Sequence, residues 1–302
     1  MFHKIFVATD MLEACDAAVL TALQLAEQNK AKLYILHVLE SASTIYRQFV
    51  RHFKTGEEIV SDQAYQETVK TQIEEKCGVL RPYGNYEIKV TAGFPWEEIL
   101  KWAREKRADL IVLGPHADKA QKAGTVRTSG PIGTTLEGVI KRERCPVMIV
   151  NRAVPKERLK FKKIMLSTDF SRSCDHALRF AIQFAQKLGS KLFIFHMLPA
   201  SEYAQADYEA QLHAVEKRLA ALCEDMPNGL DCDYGVRGGA LPHLEIERFA
   251  EQHDADLIVM GSHTRENKGK WYVGSAVERV SLRSICPVVV ITDPKVLLRM
   301  ES

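Results

Sequence analysis

The sequence predicts an α/β protein of two tandem domains, each a five-stranded parallel sheet with helices on both faces. Three observations predict it. The chain repeats itself in order. Each repeat alternates strand-like runs with amphipathic helical stretches. The strand-like runs are continuously apolar, as in parallel sheets covered on both sides.

The repeat sets the organisation. HKIFVATD (3–10) recurs as KKIMLSTD (162–169), and KLYILHVL (32–39) as KLFIFHML (191–198). RADLIVLGPH (107–116) recurs as DADLIVMGSH (254–263), and CPVMIV (145–150) as CPVVVI (286–291). The spacing between matched segments falls from 159 to 147 to 141 residues, so the first copy carries insertions of 12 and 6 residues. One domain is expected over residues 1–150 and the other over 162–302, joined by the polar, Pro-containing linker NRAVPKERLKF (151–161).

Each copy opens on a short strand, IFVAT or IMLST. A helix follows. Its apolar face is read as Ala14, Ala18, Leu20, Leu23, Leu25 and Ala26 in the first copy. In the second it is Ala177, Leu178, Ala181, Phe184, Ala185 and Leu188. Ser171 and Ser173 are both placed to cap the second of these helices. The next strand is LYILHV or LFIFHM. A longer helical region is expected over about 44–80 and 201–225. Within it, TIYRQFVRHFKTGEEI (44–59) repeats Ile45, Phe49 and Phe53 at helical spacing. That stretch is read as a helix docked on the core, with a partner-binding helix as the alternative. EIKVT or DYGVR makes the third strand, and WEEILKWAREKR or LPHLEIERFAEQH the next helix. LIVLG or LIVMG is the fourth strand; a polar loop and a last helix lead to the fifth, PVMIV or PVVVI.

Composition limits the function classes. The 302 residues are 46% apolar and 26% charged with a formal net charge of +2, too near neutral for nucleic acid or an anionic membrane to be the main partner. No apolar run approaches the roughly 20 residues that cross a bilayer. The seven cysteines include no CxxC pair, so free thiols are expected rather than a disulfide framework or a zinc site. A cytoplasmic location follows as the expectation.

In open parallel sheets ligands bind at the carboxyl ends of strands where the strand order reverses. There the second copy reads G261-S-H-T-R-E-N-K-G-K-W-Y-V-G274-S275. Gly261 is expected to turn the chain off the strand. Gly274 and Ser275 open the last helix, whose free N–H groups and dipole favour a phosphate. Ser275 adds a hydroxyl and suits an N-cap. Arg265, Lys268 and Lys270 make the loop basic. The competing reading is a solvated loop before an ordinary capped helix.

These segments resemble the universal stress protein family over nearly the whole chain, twice. Its ATP-binding members carry Gly, two residues, Gly, nine residues, Gly, then Ser or Thr. Here the matching positions are Gly261, Thr264, Gly274 and Ser275, with Thr in place of the second Gly. The first copy has Gly114, Ala117, then fifteen residues before Gly133 and Thr134. The resemblance implies a Rossmann-like (adenine nucleotide alpha hydrolase-like) fold and a stress-response sensor or regulator. It implies binding of ATP or another adenine nucleotide, which Mg2+ can accompany, best in domain 2. The residues it nominates there are Thr168, Asp169, Met197, Gly261, His263, Thr264, Arg265, Gly274, Ser275 and Ala276. In domain 1 the weaker candidates are Thr9, Asp10, Val38, Gly114, His116, Gly133 and Thr134. Asp10 and Asp169 would accept from ribose hydroxyls, or cap the next helix instead. The family dimerises through its fifth strand. CPVMIV and CPVVVI are therefore expected to pair within one chain as a pseudo-dimer, leaving room for a homodimer of chains.

His37, His196, His116 and His263 recur with the repeat, and no ligand cluster surrounds them, so neither a catalytic nor a metal role is expected. The sequence has no G-x-S-x-G elbow and no GxxxxGK[ST] loop. The expected protein is not an enzyme. The alternative from another class is a stress scaffold that binds no nucleotide and works through protein contacts. An adenylyl-transfer enzyme is the third reading, disfavoured by the lack of a catalytic constellation.

Overall fold

Strand and helix alternate in the order the pattern predicts. The structure is a computed structural model that describes residues 2–11, 13–41, 49–51, 57–115, 132–199, 205–227, 229–262, 265–267 and 270–292. It divides into two compact units: domain 1 (residues 1–126 and 133–153) and domain 2 (127–132 and 154–302).

Domain 1 runs β1 (Lys4–Ala8), α1 (Glu13–Asn29), β2 (Lys32–Glu40), β3 (Phe49–Arg51), β4 (Glu58–Val60) and α2 (Gln63–Lys76). It continues with α3 (Leu80–Tyr83), β5 (Tyr86–Gly93), α4 (Pro95–Lys106), β6 (Leu110–Leu113), α5 (Thr134–Ile140) and β7 (Val147–Ile149). Its parallel sheet has the order β5-β2-β1-β6-β7. After β1 the chain builds outward on one side through β2 and β5. It then crosses over to build β6 and β7 on the other. The order therefore reverses between β1 and β6, the place where such sheets open a crevice.

Domain 2 repeats the plan: β8 (Lys163–Ser167), α6 (Arg172–Leu188), β9 (Lys191–Pro199), α7 (Gln205–Glu224), β10 (Cys232–Gly239), α8 (Pro242–Gln252) and β11 (Leu257–Ser262). β12 (Arg265–Asn267), β13 (Lys270–Tyr272), α9 (Ser275–Arg283) and β14 (Val288–Thr292) complete it. Its sheet order is β10-β9-β8-β11-β14, with the switch between β8 and β11.

The central strands are buried because their side chains are apolar on both faces: Ile5, Phe6 and Val7 in β1 match Ile164, Met165 and Leu166 in β8. A carboxylate fixes the start of each first strand. Asp109 accepts from the His3 N–H at 2.7 Å, and Asp256 from the Lys163 N–H at 3.1 Å. Arg158 Nε sits 3.2 Å from Asp256, and Leu159 and Phe161 are buried. The stretch read as a linker is thus packed at its end into domain 2. The repeat extends to backbone strain. Left-handed residues fall at matched places: Met11 and Phe170 (φ 65° and 57°), Lys30 and Gly189 (53° and 64°), Arg107 and Asp254 (55° and 53°).

Three expectations are corrected here. The docked helix over 44–59 is not present where it can be seen. Phe49–Arg51 and Glu58–Val60 pair as antiparallel strands, and helix begins only at Gln63, whose N-cap Asp62 accepts from the Tyr65 N–H at 2.7 Å. Val50 is fully buried while Phe49 is 36% exposed, an alternation of period two. Residues 42–48 and 52–56, including Ile45 and Phe53, lie outside the described residues. Leu20 and Leu188 face solvent at 41% and 37% exposure, although both were read into the apolar faces of their helices. The polar loop after the fourth strand of domain 2 contains a small hairpin, β12 with β13, in the register Arg265↔Tyr272 and Asn267↔Lys270.

Candidate functional site

The switch point of domain 1 holds a partly open cleft of about 530 Å³, counting the solvent in its mouth. Ala8, Thr9 and Asp10 line it from the end of β1, Val38 from β2, and Leu113, Gly114 and Pro115 from the end of β6. Pro95 and Ile99 of α4 and Gly133, Thr135 and Leu136 at the start of α5 close it. Thr9, Asp10, Val38, Gly114 and Gly133, far apart in sequence, thus line one space. Thr134 is exposed beside it, the first residue of α5. The Gly133 N–H donates to Pro115 O at 3.1 Å, which ties the helix start to the end of the fourth strand. Pro95 and Ile99 were missed by sequence reasoning. Their signal was a proline at the first turn of the helix after the third strand, the position where proline suits a helix start.

A matched pair of hydrogen bonds shapes both strand-one ends. The Met11 N–H donates to Thr9 Oγ1 at 3.0 Å, and the Phe170 N–H to Thr168 Oγ1 at 3.0 Å. The rings of His37 and His196 each place Nδ1 2.8 Å from the carbonyl oxygen of that same threonine. These histidines strap strand two to the end of strand one. His37 is buried, and Phe170 covers His196 with ring centroids 4.7 Å apart.

Asp169 is engaged locally. Its Oδ1 accepts from the Ser171 N–H at 2.9 Å and from the Cys174 thiol at 3.1 Å. These contacts brace the turn before α6; they do not reach a free N–H of that helix, whose N-cap is Ser171. Ser171 occupies the N-cap position of α6, but its hydroxyl meets Ser173 Oγ at 2.9 Å instead of a helix N–H. Burial pushes the Cys174 thiol above its ordinary range, with the backbone at Asp169 pulling against it.

Gly261 does not turn the chain. It lies inside β11 with an ordinary φ, and a Cβ there would meet the Ser173 carbonyl group at 2.7 Å and the Cys174 nitrogen at 2.8 Å. Its glycine is needed for close approach of strand to helix. Ser275 is the first helical residue rather than the N-cap; Gly274 is the cap, at φ −57° and ψ 134°. Gly133 has nearly the same conformation, φ −59° and ψ 144°. Among the described residues nothing lies within 4 Å of a Cβ built on Gly274. Ala276 is half-buried behind it, and Arg265 is in β12. Met197 is half-buried with its Sδ toward Gly239. His116, Ala117, His263, Thr264 and Lys268 lie outside the described residues.

Domain 2 also holds a space of about 660 Å³ on the same measure, at another place. It lies among β8, β9, α6 and α7, lined by Leu166, Leu178, Ile194 and Leu222 with Arg218 and Asp225. The Arg218 guanidinium lies 3.8 Å over the Phe170 ring. Among the described residues no group of three or more His, Cys, Asp or Glu could hold a metal ion. No described helix is long and apolar enough to cross a membrane.

His196 gives a pH prediction. Burial holds its pKa below the ordinary value of about 6.5, with Arg218 adding to that and the Thr168 carbonyl opposing it. The unfolded chain therefore binds the proton first, and stability falls as pH drops below about 6.5. His243, lowered by burial and then by Arg279 and Arg283, acts in the same direction. Urea unfolding of domain 2 between pH 7.5 and 5 is expected to show falling stability, with a shallower fall in His243→Gln. A flat profile would refute this account.

Comparison with known proteins places these features. The model of the universal stress protein family matches residues 1–151 and again 160–292. Universal stress protein MJ0531 of Methanocaldococcus jannaschii is 27% identical over 158 residues, covering 49% of this chain and 91% of that protein. Universal stress protein MJ0577 of the same organism is 28% identical over 153 residues, covering 43% and 94%. A universal stress protein structure from Archaeoglobus fulgidus DSM 4304 aligns with a TM-score of 0.64 at 23% identity, over 96% of this chain and 98% of that one. A functionally unknown protein, PA1789 of Pseudomonas aeruginosa PAO1, aligns at 0.61 with 16% identity, over 99% and 96%. These two structural matches bear on the fold.

Proposed function

The chain belongs to the universal stress protein family, and from that membership we propose that it is a cytoplasmic stress-response regulator, not an enzyme, that holds ATP or another adenine nucleotide. Two family domains in one chain fit a pseudo-dimer. The observation that carries the nucleotide reading is the cleft at the switch point of domain 1. Its lining is mainly apolar, with Val38, Ile99 and Leu136 suited to a purine and Asp10 suited to ribose hydroxyls. In domain 2 the support is different: the family spacing from Gly261 to Gly274, and a Cβ position at Gly274 that no atom of the described residues crowds. That helix has nine residues and would present N–H groups to phosphate oxygens. Any Mg2+ would arrive on the phosphates, since the described residues offer it no cluster of acids.

The cleft favours domain 1 and the spacing favours domain 2, so each is tested by itself. ATP is titrated into the full chain by calorimetry, after denaturation of a sample to release any nucleotide carried through purification. Val38→Trp fills the domain 1 cleft. Gly274→Val adds a branched side chain at the start of α9 at an ordinary φ. The substitution in the domain that holds the nucleotide is expected to weaken binding at least about tenfold, about 1.4 kcal/mol. Binding unchanged in both variants would refute both sites. No released nucleotide and no heat at millimolar ATP would leave the scaffold reading.

A further inference from the structure

α6 packs on β8 and β11, and α7 on β10. The sheet between the two helices is left with a space over it, about 660 Å³ counting the solvent in its mouth. Leu166 of β8 and Ile194 of β9, neighbours in register, are its floor. Ile194 lies between Phe193 and Phe195, which both meet Phe249 of α8, at 6.4 and 4.6 Å between ring centroids. Successive residues of a strand face opposite sides of its sheet, so the space is on the side away from α8. α8 is the counterpart of α4, which helps to close the domain 1 cleft. The cavity is therefore not the domain 2 copy of that cleft.

The helices supply the walls and the charges. Arg218, Ala221, Leu222 and Asp225 line the space at positions i, i+3, i+4 and i+7, one face of a helix. The Asp225 N–H donates to Ala221 O at 3.0 Å, which carries the helical course past Glu224. Asp175 and Leu178 line the space from α6. The Arg218 guanidinium lies 3.8 Å over the ring of Phe170, just before α6, and Asp175 is in the first turn of that helix. A cation and a carboxylate thus share one end of the cavity, with Asp225 about 10 Å further along α7. Among the described residues none of these three groups has an ion-pair partner. We propose that this cavity binds a small apolar α-amino acid, with its side chain between α6 and α7, its carboxylate on Arg218 and its ammonium on Asp175.

The lining selects this class. Leu166, Ile194, Leu178 and Leu222 offer only aliphatic surface, so the body of the ligand must be apolar. An apolar acid would pair with Arg218 but set its charge beside Asp175, and an apolar amine would do the reverse. A zwitterion satisfies both groups. A residue at either end of a peptide lacks one of the two charges, so the ligand is the free amino acid. Cys174 is 6% exposed and lines the same space, so an occupant would cover its thiol.

The full chain is titrated by calorimetry with L-leucine and L-phenylalanine, without ATP, so that the outcome is independent of the nucleotide reading. At least one of the two is expected to bind. Its amide, which lacks the carboxylate, and its deaminated acid, which lacks the ammonium, should each bind at least about tenfold more weakly. Arg218→Gln should weaken the amino acid to the level of the amide and leave the amide unchanged. Leu222→Trp should abolish binding by filling the space. Bound amino acid should also slow alkylation of Cys174 by N-ethylmaleimide, read by peptide mass spectrometry, and leave that of Cys77 in domain 1 unchanged. No binding of either amino acid at millimolar concentration would overturn the assignment. So would an amide or a deaminated acid that binds as tightly as its parent, or binding that leaves Cys174 as reactive as before.

Discussion

Trp102→Ala is expected to cost domain 1 about 4 kcal/mol, the middle of the range for losing a large aromatic from a core. The Trp102 side chain is 2% exposed. On α4 it meets the edge of Phe6 at 5.4 Å and of Tyr34 at 5.8 Å between ring centroids. It therefore fastens the helix to the two strands whose ends form the cleft. The ammonium groups of Lys89 and Lys106 cover it from 5.4 and 5.7 Å. The matching residue of domain 2 is Phe249, stacked on Phe195 at 4.6 Å and lying over Gly235, which has no Cβ to obstruct the ring. Urea unfolding should show the transition of domain 1 moving to lower denaturant while that of domain 2 stays. A loss below about 1.5 kcal/mol would mean that the ring is not a core element.

Gly261→Ala is expected to destabilise domain 2 by about 3 kcal/mol, the upper end of ordinary overpacking costs. The added methyl would press on the Ser173 carbonyl and the Cys174 nitrogen, which are backbone atoms at the start of α6 and have no rotamer to escape into. Gly274→Ala is the control. Its Cβ meets nothing within 4 Å among the described residues and its φ is ordinary, so its stability should change by less than about 1 kcal/mol. Circular dichroism with urea titration reads both. Equal losses in the two variants would contradict the close approach of β11 to α6. The pair also separates a glycine that packing requires from one that packing does not, which their shared place in one motif conceals.

The parallel strands were legible because burial on both faces leaves an uninterrupted apolar run, and because the duplication repeats each run in order. The hairpin at Phe49–Val60 was hidden because Ile45, Phe49 and Phe53 fit a helical period by spacing alone. The side chain that packs is Val50, between them. Leu20 and Leu188 show the same limit: an apolar residue at the margin of a helix stripe does not reveal which way the helix is rolled.

Thr9, Asp10, Val38, Gly114 and Gly133 were nominated by the family resemblance, and they line one cleft because strand ends converge at a switch point. Local side-chain bonding could not be read. Nothing in the pattern says that Thr9 and Thr168 hold their own turns, or that Asp169 serves Ser171 and Cys174. Nor does it tell a glycine that bends the chain from one, like Gly261, that only lets a helix come near.

The matched left-handed residues have a consequence for engineering. At Lys30 and Gly189, or Arg107 and Asp254, the chain passes from one element to the next through the same left-handed φ in either half. Such points are natural seams for recombination. A segment cut at them from one half enters the other without bending the junction, so chimeras spliced there inherit a ready-made joint whatever side chain occupies it.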